Sequence, residues 1–405
     1  MRNHAPLRVV LSVHHELDNN SGAAGAAIAL KEALREFGHH VELISFDDFP
    51  RWISHLPAAI KIRLRPILFP WFIAFSLAPR LKSIDVIDLL SGDGWLLFSL
   101  VRLTKRSEHR PLLVSHSAGL EHVNFEALRN TRACSQRRGF LGWPGKLYEI
   151  LYLNHLRLLE VTRSCRAAEL CLFLNEYDRR YAIKRFFLNT AQTFIIKNGL
   201  PCELLSLGKP QRSVGARVSI AQIGSYVIGK GIFYGSKALC AVMEAFPQTH
   251  VHFIGTGCSR DRVLNDFPET LWHRITVVPY FERKELPRIL LDSEIKLFPT
   301  LSEGFGMALL EAMACGLAPV TTAVPGPLQI VEPNVDALVV PPRDEQALTE
   351  ALSLLLSEDE LRYKIRMNAY HKAQGYTWTQ IARERVEIYQ KFLGGIDVYR
   401  KGEWQ

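Results

Sequence analysis

Residues 8–45 read RVVLSVHHELDNNSGAAGAAIALKEALREFGHHVELIS. After Arg8 the stretch to Val13 is uncharged and apolar, the pattern of a parallel strand buried on both faces. The small residues of Asn19–Gly25 predict a loop. An amphipathic helix is predicted over Ala26–Phe37, stopped by Gly38. HVELIS (His40–Ser45) is a second strand. Strand, crossover helix and strand of these lengths make one β-α-β unit.

The same rhythm continues along the chain. Further strands are predicted at Ile84–Leu90, Leu112–Ser115, Glu169–Leu174 and Thr193–Ile196, with helices at Trp95–Leu103 and from about Tyr177. Residues 200–216, with Pro201, Gly208, Pro210 and Gly215, read as a linker. A second series follows, with strands at Val218–Ile223, His250–Ile254, Ile275–Val278, Ile295–Phe298 and Ala318–Thr321. A last helix is predicted over Thr379–Phe392. Two successive series predict an α/β protein of two doubly wound domains, whose ligands lie at the C-terminal ends of strands.

Composition agrees with that class. The chain has 405 residues, 48% hydrophobic and 22% charged, which excludes a disordered or collagen-like protein. Its seven cysteines form no CxxC pair, so reduced thiols and a cytoplasmic setting are expected and a zinc site is not. The apolar stretch near Met1 is too short for a signal peptide. The run Ile67–Ala78 falls short of the ~20 residues that span a bilayer.

The net charge of +8 is uneven. Residues 1–200 hold 27 Lys+Arg against 18 Asp+Glu, and the remainder 22 against 23. Within 51–82 the charges are all basic: Arg51, Lys61, Arg63, Arg65, Arg80 and Lys82. They alternate with Trp52, Ile60, Ile62, Leu64, Phe69, Trp71, Phe72 and Phe75. Such a segment suits an anionic membrane surface, or a pair of helices packed on the sheet with solvated basic edges. No nucleic-acid-binding module accompanies the charge, so nucleic acid is not an expected partner.

Four strand ends carry candidate chemistry. The sharpest is Ser302–Gly316, SEGFGMALLEAMACG. Gly304 and Gly306, flanking Phe305, let a ligand approach the backbone. The N–H groups of Gly306, Met307 and Ala308 at a helix start suit a phosphate. Glu303 and Glu311 would repel that phosphate, and make sense as ligands for hydroxyls. A merely solvated Glu311 fits poorly in so apolar a helix.

The second is Gly224–Gly231, GSYVIGKG. It matches G-x-x-x-x-G-K, but Gly231 stands where a P-loop needs Ser or Thr. Lys230 remains a point charge suited to phosphate. The third is His116, within the serine-rich SHS of Ser115–Ser117. A hydrolase reading of it lacks partners. The fourth is Gly22 in the loop after the first strand, which lacks the dinucleotide fingerprint.

Together these motifs resemble the retaining glycosyltransferases of family four, which have the GT-B fold of two Rossmann-like domains facing a central cleft. The resemblance is strongest over 218–342. It implies an E-x7-E pair in Glu303 and Glu311, contacting the donor sugar and the ribose. It implies a diphosphate site of Lys230 and the backbone of Gly304, Phe305, Gly306, Met307 and Ala308. His116 matches a histidine near the transferred sugar, and Gly22 a loop facing the donor. His116, Lys230 and Glu303 are the implied catalytic set. Residues 1–200 plus 380–405 are implied to form the acceptor-side domain, and 201–379 the nucleotide-sugar-binding domain.

One departure is Ser225, where the family usually has an arginine that helps neutralise the diphosphate. The implied reaction moves a sugar from a nucleoside diphosphate sugar to a saccharide or lipid-linked acceptor, in cell-surface polysaccharide or glycolipid synthesis. No DxD-like motif lies near the site, so no obligatory metal is expected, nor any cofactor beyond the nucleoside diphosphate sugar as co-substrate; a cytoplasmic enzyme peripheral on the inner face of the membrane is expected. Alternatives are a nucleotide-sugar epimerase and a catalytically weakened nucleotide-sugar binder.

Overall fold

A computed structural model describes residues 5–49, 57–103, 110–129, 148–212 and 218–401. Arg51, Trp52 and the end of the 200–216 linker lie outside these residues. The chain divides into two compact units. The first holds Met1–Phe125, Gln136–Gly199 and Trp378–Gln405, and the second Glu126–Ser135 and Leu200–Thr377.

The first unit is built on a six-stranded sheet ordered β2-β1-β3-β4-β5-β6. Its strands are β1 (Arg8–Val13), β2 (His40–Ser45), β3 (Val86–Leu90), β4 (Leu112–His116), β5 (Leu170–Phe173) and β6 (Thr193–Ile195). All neighbours pair in parallel. Alternation along the strands supplies a core on each face. Val9, Leu11 and Val86 pack with Leu30, Leu34, Ile381 and Tyr389, from helices Gly22–Glu36 and Trp378–Lys401. Val10, Ile87 and Leu89 pack with Phe69, Ile73, Leu77 and Phe98 on the other side.

The second unit repeats the plan with the order β12-β11-β10-β7-β8-β9. Its strands are β7 (Ser219–Ile223), β8 (His250–Ile254), β9 (Ile275–Val278), β10 (Ser293–Phe298), β11 (Ala318–Thr322) and β12 (Leu338–Val340). Read from β9, chain order reverses between β7 and β10, the topological switch point at which open sheets bind ligands. Each unit is thus a doubly wound α/β domain, as the two series of strands and helices predict.

Two local expectations are corrected. The loop Asn19–Gly25 ends at Ser21, and Gly22 already opens the helix Gly22–Glu36. Ala23, Ala24, Ala26 and Ala27 favour helix, and Ser21 takes the extended backbone of an N-cap. In place of a pair of helices, Ala58–Leu77 forms one helix containing Pro66 and Pro70. Phe69, Ile73 and Leu77 bury one side of it, while Ile60, Ile62, Trp71 and Phe75 are exposed.

Candidate functional site

In the second unit the loops after β7 and β10 meet at the switch point, because those strands are paired neighbours. Gly231, at φ +68°, ends the short 3-10 turn Ile228–Lys230. A Cβ there would lie 1.7 Å from the carbonyl oxygen of Pro299. Only glycine lets the two loops close to this distance. The carbonyl of Gly229 then accepts from Leu301 N at 2.9 Å and from Thr300 Oγ1 at 3.1 Å.

This contact brings Lys230 to Glu303, with Nζ donating to Oε2 at 2.5 Å. The Glu303 loop is held from behind by Gly326, whose N–H donates to the Glu303 carbonyl at 3.0 Å. A side chain at Gly326 would meet Glu303 and Phe305 backbone within 2.8 Å. Beside the pair, Gly306 at φ +112° caps the helix Met307–Ala314. No side chain caps its first turn, and that turn contains no acid. The first-turn N–H groups and the helix dipole therefore favour an anion at this end.

Glu311 lies inside the same helix and is buried. Its Oε1 is 3.0 Å from Nε of Arg283 in an ion pair. Burial raises the Glu311 carboxyl above its ordinary range, opposed by Arg283 and Lys296. Neither basic residue was singled out by sequence. Arg283 lies after β9, distant in the chain, and Lys296 sits within the strand β10, where local pattern gives no sign of what it faces.

The first unit places its candidates separately. Gly22 is exposed on the first turn of its helix. His116 ends β4, its Nδ1 2.5 Å from Oδ1 of the fully buried Asp88. Asp88 also accepts from Tyr389 Oη and ion-pairs with Arg385 Nε at 3.2 Å. With Nδ1–H assigned to the carboxylate, Nε2 is the nitrogen left to meet a ligand.

Reasoning from sequence also missed a second pair. His14, just past β1, has Nδ1 3.1 Å from Oδ2 of Asp93, just past β3. Arg157 backs Asp93 at 3.5 Å. β1 and β3 are where this sheet's order reverses, so His14 marks its switch point. The available signal was Asp93 in the strand-end loop Ser91–Gly94.

The structure thus assembles Lys230, Glu303, Gly304, Phe305, Gly306, Met307, Ala308 and Glu311 in one unit, and holds Gly22 and His116 in the other. Residues 209–372 match the family Glycosyl transferases group 1.

Curated proteins match more or less of the chain. An uncharacterized glycosyltransferase of Methanocaldococcus jannaschii is 24% identical over 89% of this chain and 92% of its own. The lipopolysaccharide glucosyltransferase WaaG of Escherichia coli is 26% identical over 54% of each chain. The gpi3 subunit of the phosphatidylinositol N-acetylglucosaminyltransferase of Schizosaccharomyces pombe is 24% identical, over 89% of this chain and 75% of its own.

Among solved structures, sucrose-phosphate synthase of Thermosynechococcus elongatus superposes with a TM-score of 0.74 at 18% identity, covering 96% of this chain and 99% of that one. WaaG superposes at 0.67 and 16% identity, covering 94% and 99%. These likenesses establish the GT-B fold. No helix among the described residues is long and apolar enough to cross a membrane.

Proposed function

We propose that this protein is a retaining glycosyltransferase, moving a sugar from a nucleoside diphosphate sugar to a saccharide or lipid-linked acceptor. The observation that carries the reading is the Lys230–Glu303 pair at the β7/β10 switch point, beside a helix N-terminus that no side chain caps. It lies inside the segment that matches the glycosyltransferase family.

In this reading Lys230 and the backbone N–H groups of Gly306, Met307 and Ala308 hold the diphosphate. They stabilise the charge that develops as it leaves. Gly304 and Phe305 shape the loop beneath it. Glu303, released from Lys230 by the incoming phosphate, accepts from hydroxyls of the donor sugar. Glu311, fixed by Arg283, accepts from the ribose. His116, oriented by Asp88, accepts at Nε2 from a hydroxyl of the transferred sugar, and Gly22 belongs to the donor-facing turn. No side chain here is assigned as a nucleophile. The leaving phosphate takes the acceptor proton, which accords with retention at the anomeric carbon. Neither a cofactor nor a metal takes part in this scheme.

The acceptor side is proposed from the first unit. Exposed Ile62, Trp71 and Phe75 on the helix Ala58–Leu77, with Lys61, Arg63 and Arg65 beside them, suit an anionic membrane surface. The enzyme is then cytoplasmic and peripheral, serving cell-surface polysaccharide or glycolipid synthesis. Flotation with anionic liposomes checks this, and the absence of salt-sensitive binding would remove it.

The donor reading is tested by a thermal-shift panel of UDP, GDP, ADP and their sugar conjugates, with and without chelator. Ligand at ~100 times its dissociation constant adds about 2.7 kcal/mol and raises Tm measurably. The expected result is a selective shift with one nucleotide that survives chelation, together with loss of turnover in Glu311→Ala. A panel with no shift overturns the reading. The anomeric configuration of the product, read by NMR, checks retention.

A further inference from the structure

Strand β10 carries a lysine in its interior. Lys296 has no exposed surface and ranks among the largest fully buried side chains of the described residues. Its amine makes no ion pair there. Its hydrogen bond is a long one of 3.4 Å to the carbonyl of Ile223, the last residue of β7. A buried ammonium without a carboxylate partner is costly, and an apolar residue would suit this strand better.

The amine nevertheless shares a neighbour with the proposed diphosphate site. Its Nζ is 5.3 Å from the centroid of the Phe298 ring, and Lys230 Nζ lies 5.7 Å from the same ring. The edge of that ring lies 3.5 Å from where a Gly306 side chain would begin. One aromatic ring thus links two lysines and the helix N-cap. The charged groups that act on Lys296 are Lys230 on the β7 loop, Glu311 on the helix, and Glu303 on the β10 loop. Burial comes first and the Lys230 charge adds to it. Together they hold the Lys296 amine well below the ordinary lysine range, against the two glutamates.

We propose that Lys296 is a second, latent cation of the diphosphate site, neutral in the ligand-free chain and protonated from solvent as a nucleoside diphosphate binds beside Lys230. The inference rests on the donor reading above. The diphosphate brings negative charge beside Lys230, and that reverses the balance at the Lys296 amine. One proton moves from the buffer to Nζ, and no bond of the nucleotide is broken. Lys296 is a positioning residue that acts through the field at the strand end. It supplies charge where Ser225 offers none, and the ligand-free site escapes the repulsion of two adjacent ammonium groups.

Calorimetric titration of the full chain tests this. UDP, GDP and ADP are each titrated at about pH 8, above the ~6 at which a terminal phosphate titrates, in buffers of different ionisation enthalpy. The expected result is a binding enthalpy that varies with the buffer, corresponding to uptake of about one proton per nucleotide. In Lys296→Met that uptake is lost and binding is weaker. Wild-type binding with no buffer dependence overturns the proposal, and so does equal uptake in the variant. Should circular dichroism show Lys296→Met unfolded, Lys296→Gln takes its place. If none of the three nucleotides binds the wild-type chain, the donor reading itself fails, a result distinct from binding without proton uptake.

Discussion

Nδ1 of His116 lies 2.5 Å from Oδ1 of Asp88, a carboxylate with no exposed surface. His116 ends β4, while Asp88 lies within β3, one strand over. The same carboxylate engages Tyr389 and Arg385 of the helix Trp378–Lys401. One buried anion therefore orients the candidate histidine and anchors the final helix to the first unit.

Asp88→Asn is expected to affect both. Burial works against ionisation of Asp88, and Arg385, His116 and Tyr389 together more than offset it, so its carboxyl sits below the usual range. A depressed carboxyl stabilises the fold above its unfolded value of about 3.9, and the contribution is lost as pH falls through the folded value. The variant leaves Arg385 buried without its anion, at a cost of about 3–5 kcal/mol. Thermal unfolding near neutral pH should show the loss, and glycosyl transfer should slow. An unchanged Tm would contradict the anchoring role.

Glu311→Gln is expected to trade function for stability. Burial raises this carboxyl. A group whose folded value is raised adds stability below its unfolded value, and that contribution disappears as pH rises through the folded one. At neutral pH the charged form is a burden that the amide removes. The variant's Tm should exceed that of the wild type at about pH 8 and converge with it near pH 4. Turnover should fall, as expected where a site's charge is kept at the expense of stability. A variant both less stable at neutral pH and fully active would refute the assignment.

Gly231→Ala should disturb the site through the backbone. The left-handed conformation costs a non-glycine residue about 1–3 kcal/mol. The added Cβ also meets the Pro299 oxygen at 1.7 Å. The β7 loop must retreat and carry Lys230 away from Glu303. Nucleoside diphosphate binding should weaken by about tenfold or more, in line with loss of a charge-assisted contact. Isothermal titration checks this, and unchanged affinity would show that the loop contact does not position Lys230.

Glu294→Ala separates stability from the site. Glu294 is buried on β10, and its Oε2 accepts from Arg362 Nε at 2.8 Å and from an Arg366 guanidinium nitrogen at 3.0 Å. Its removal takes the shared anion from Arg366 and leaves Arg362 only its pair with the exposed Asp359, at about 3–5 kcal/mol. The chemical-denaturation midpoint should drop. Nucleotide affinity, measured where the variant remains folded, should stay within about twofold of the wild type. A large loss of affinity in the folded variant would place Glu294 in the site.

The alternation of strands and helices is legible from local pattern alone. Uncharged runs such as the VVLSV that follows Arg8 must be buried on both faces, and that requirement is local. Local pattern also disclosed Glu303, Glu311, Lys230 and the glycines between them. Small residues at a strand end followed by an amphipathic helix carry their meaning within a dozen positions.

What lay outside local pattern was decided by tertiary structure. Gly22 joined a helix because a row of alanines outweighed the glycines that suggested a loop. Asp88 and Asp93 were hidden among strand and loop residues, since a buried anion is recognisable only by partners 28 to 301 positions away. Arg283 reached Glu311 from the loop after β9, and Lys296 acquired significance only when β10 was set against β7. Charges interact through space with an energy that depends on distance and burial, and neither quantity is written in the order of residues.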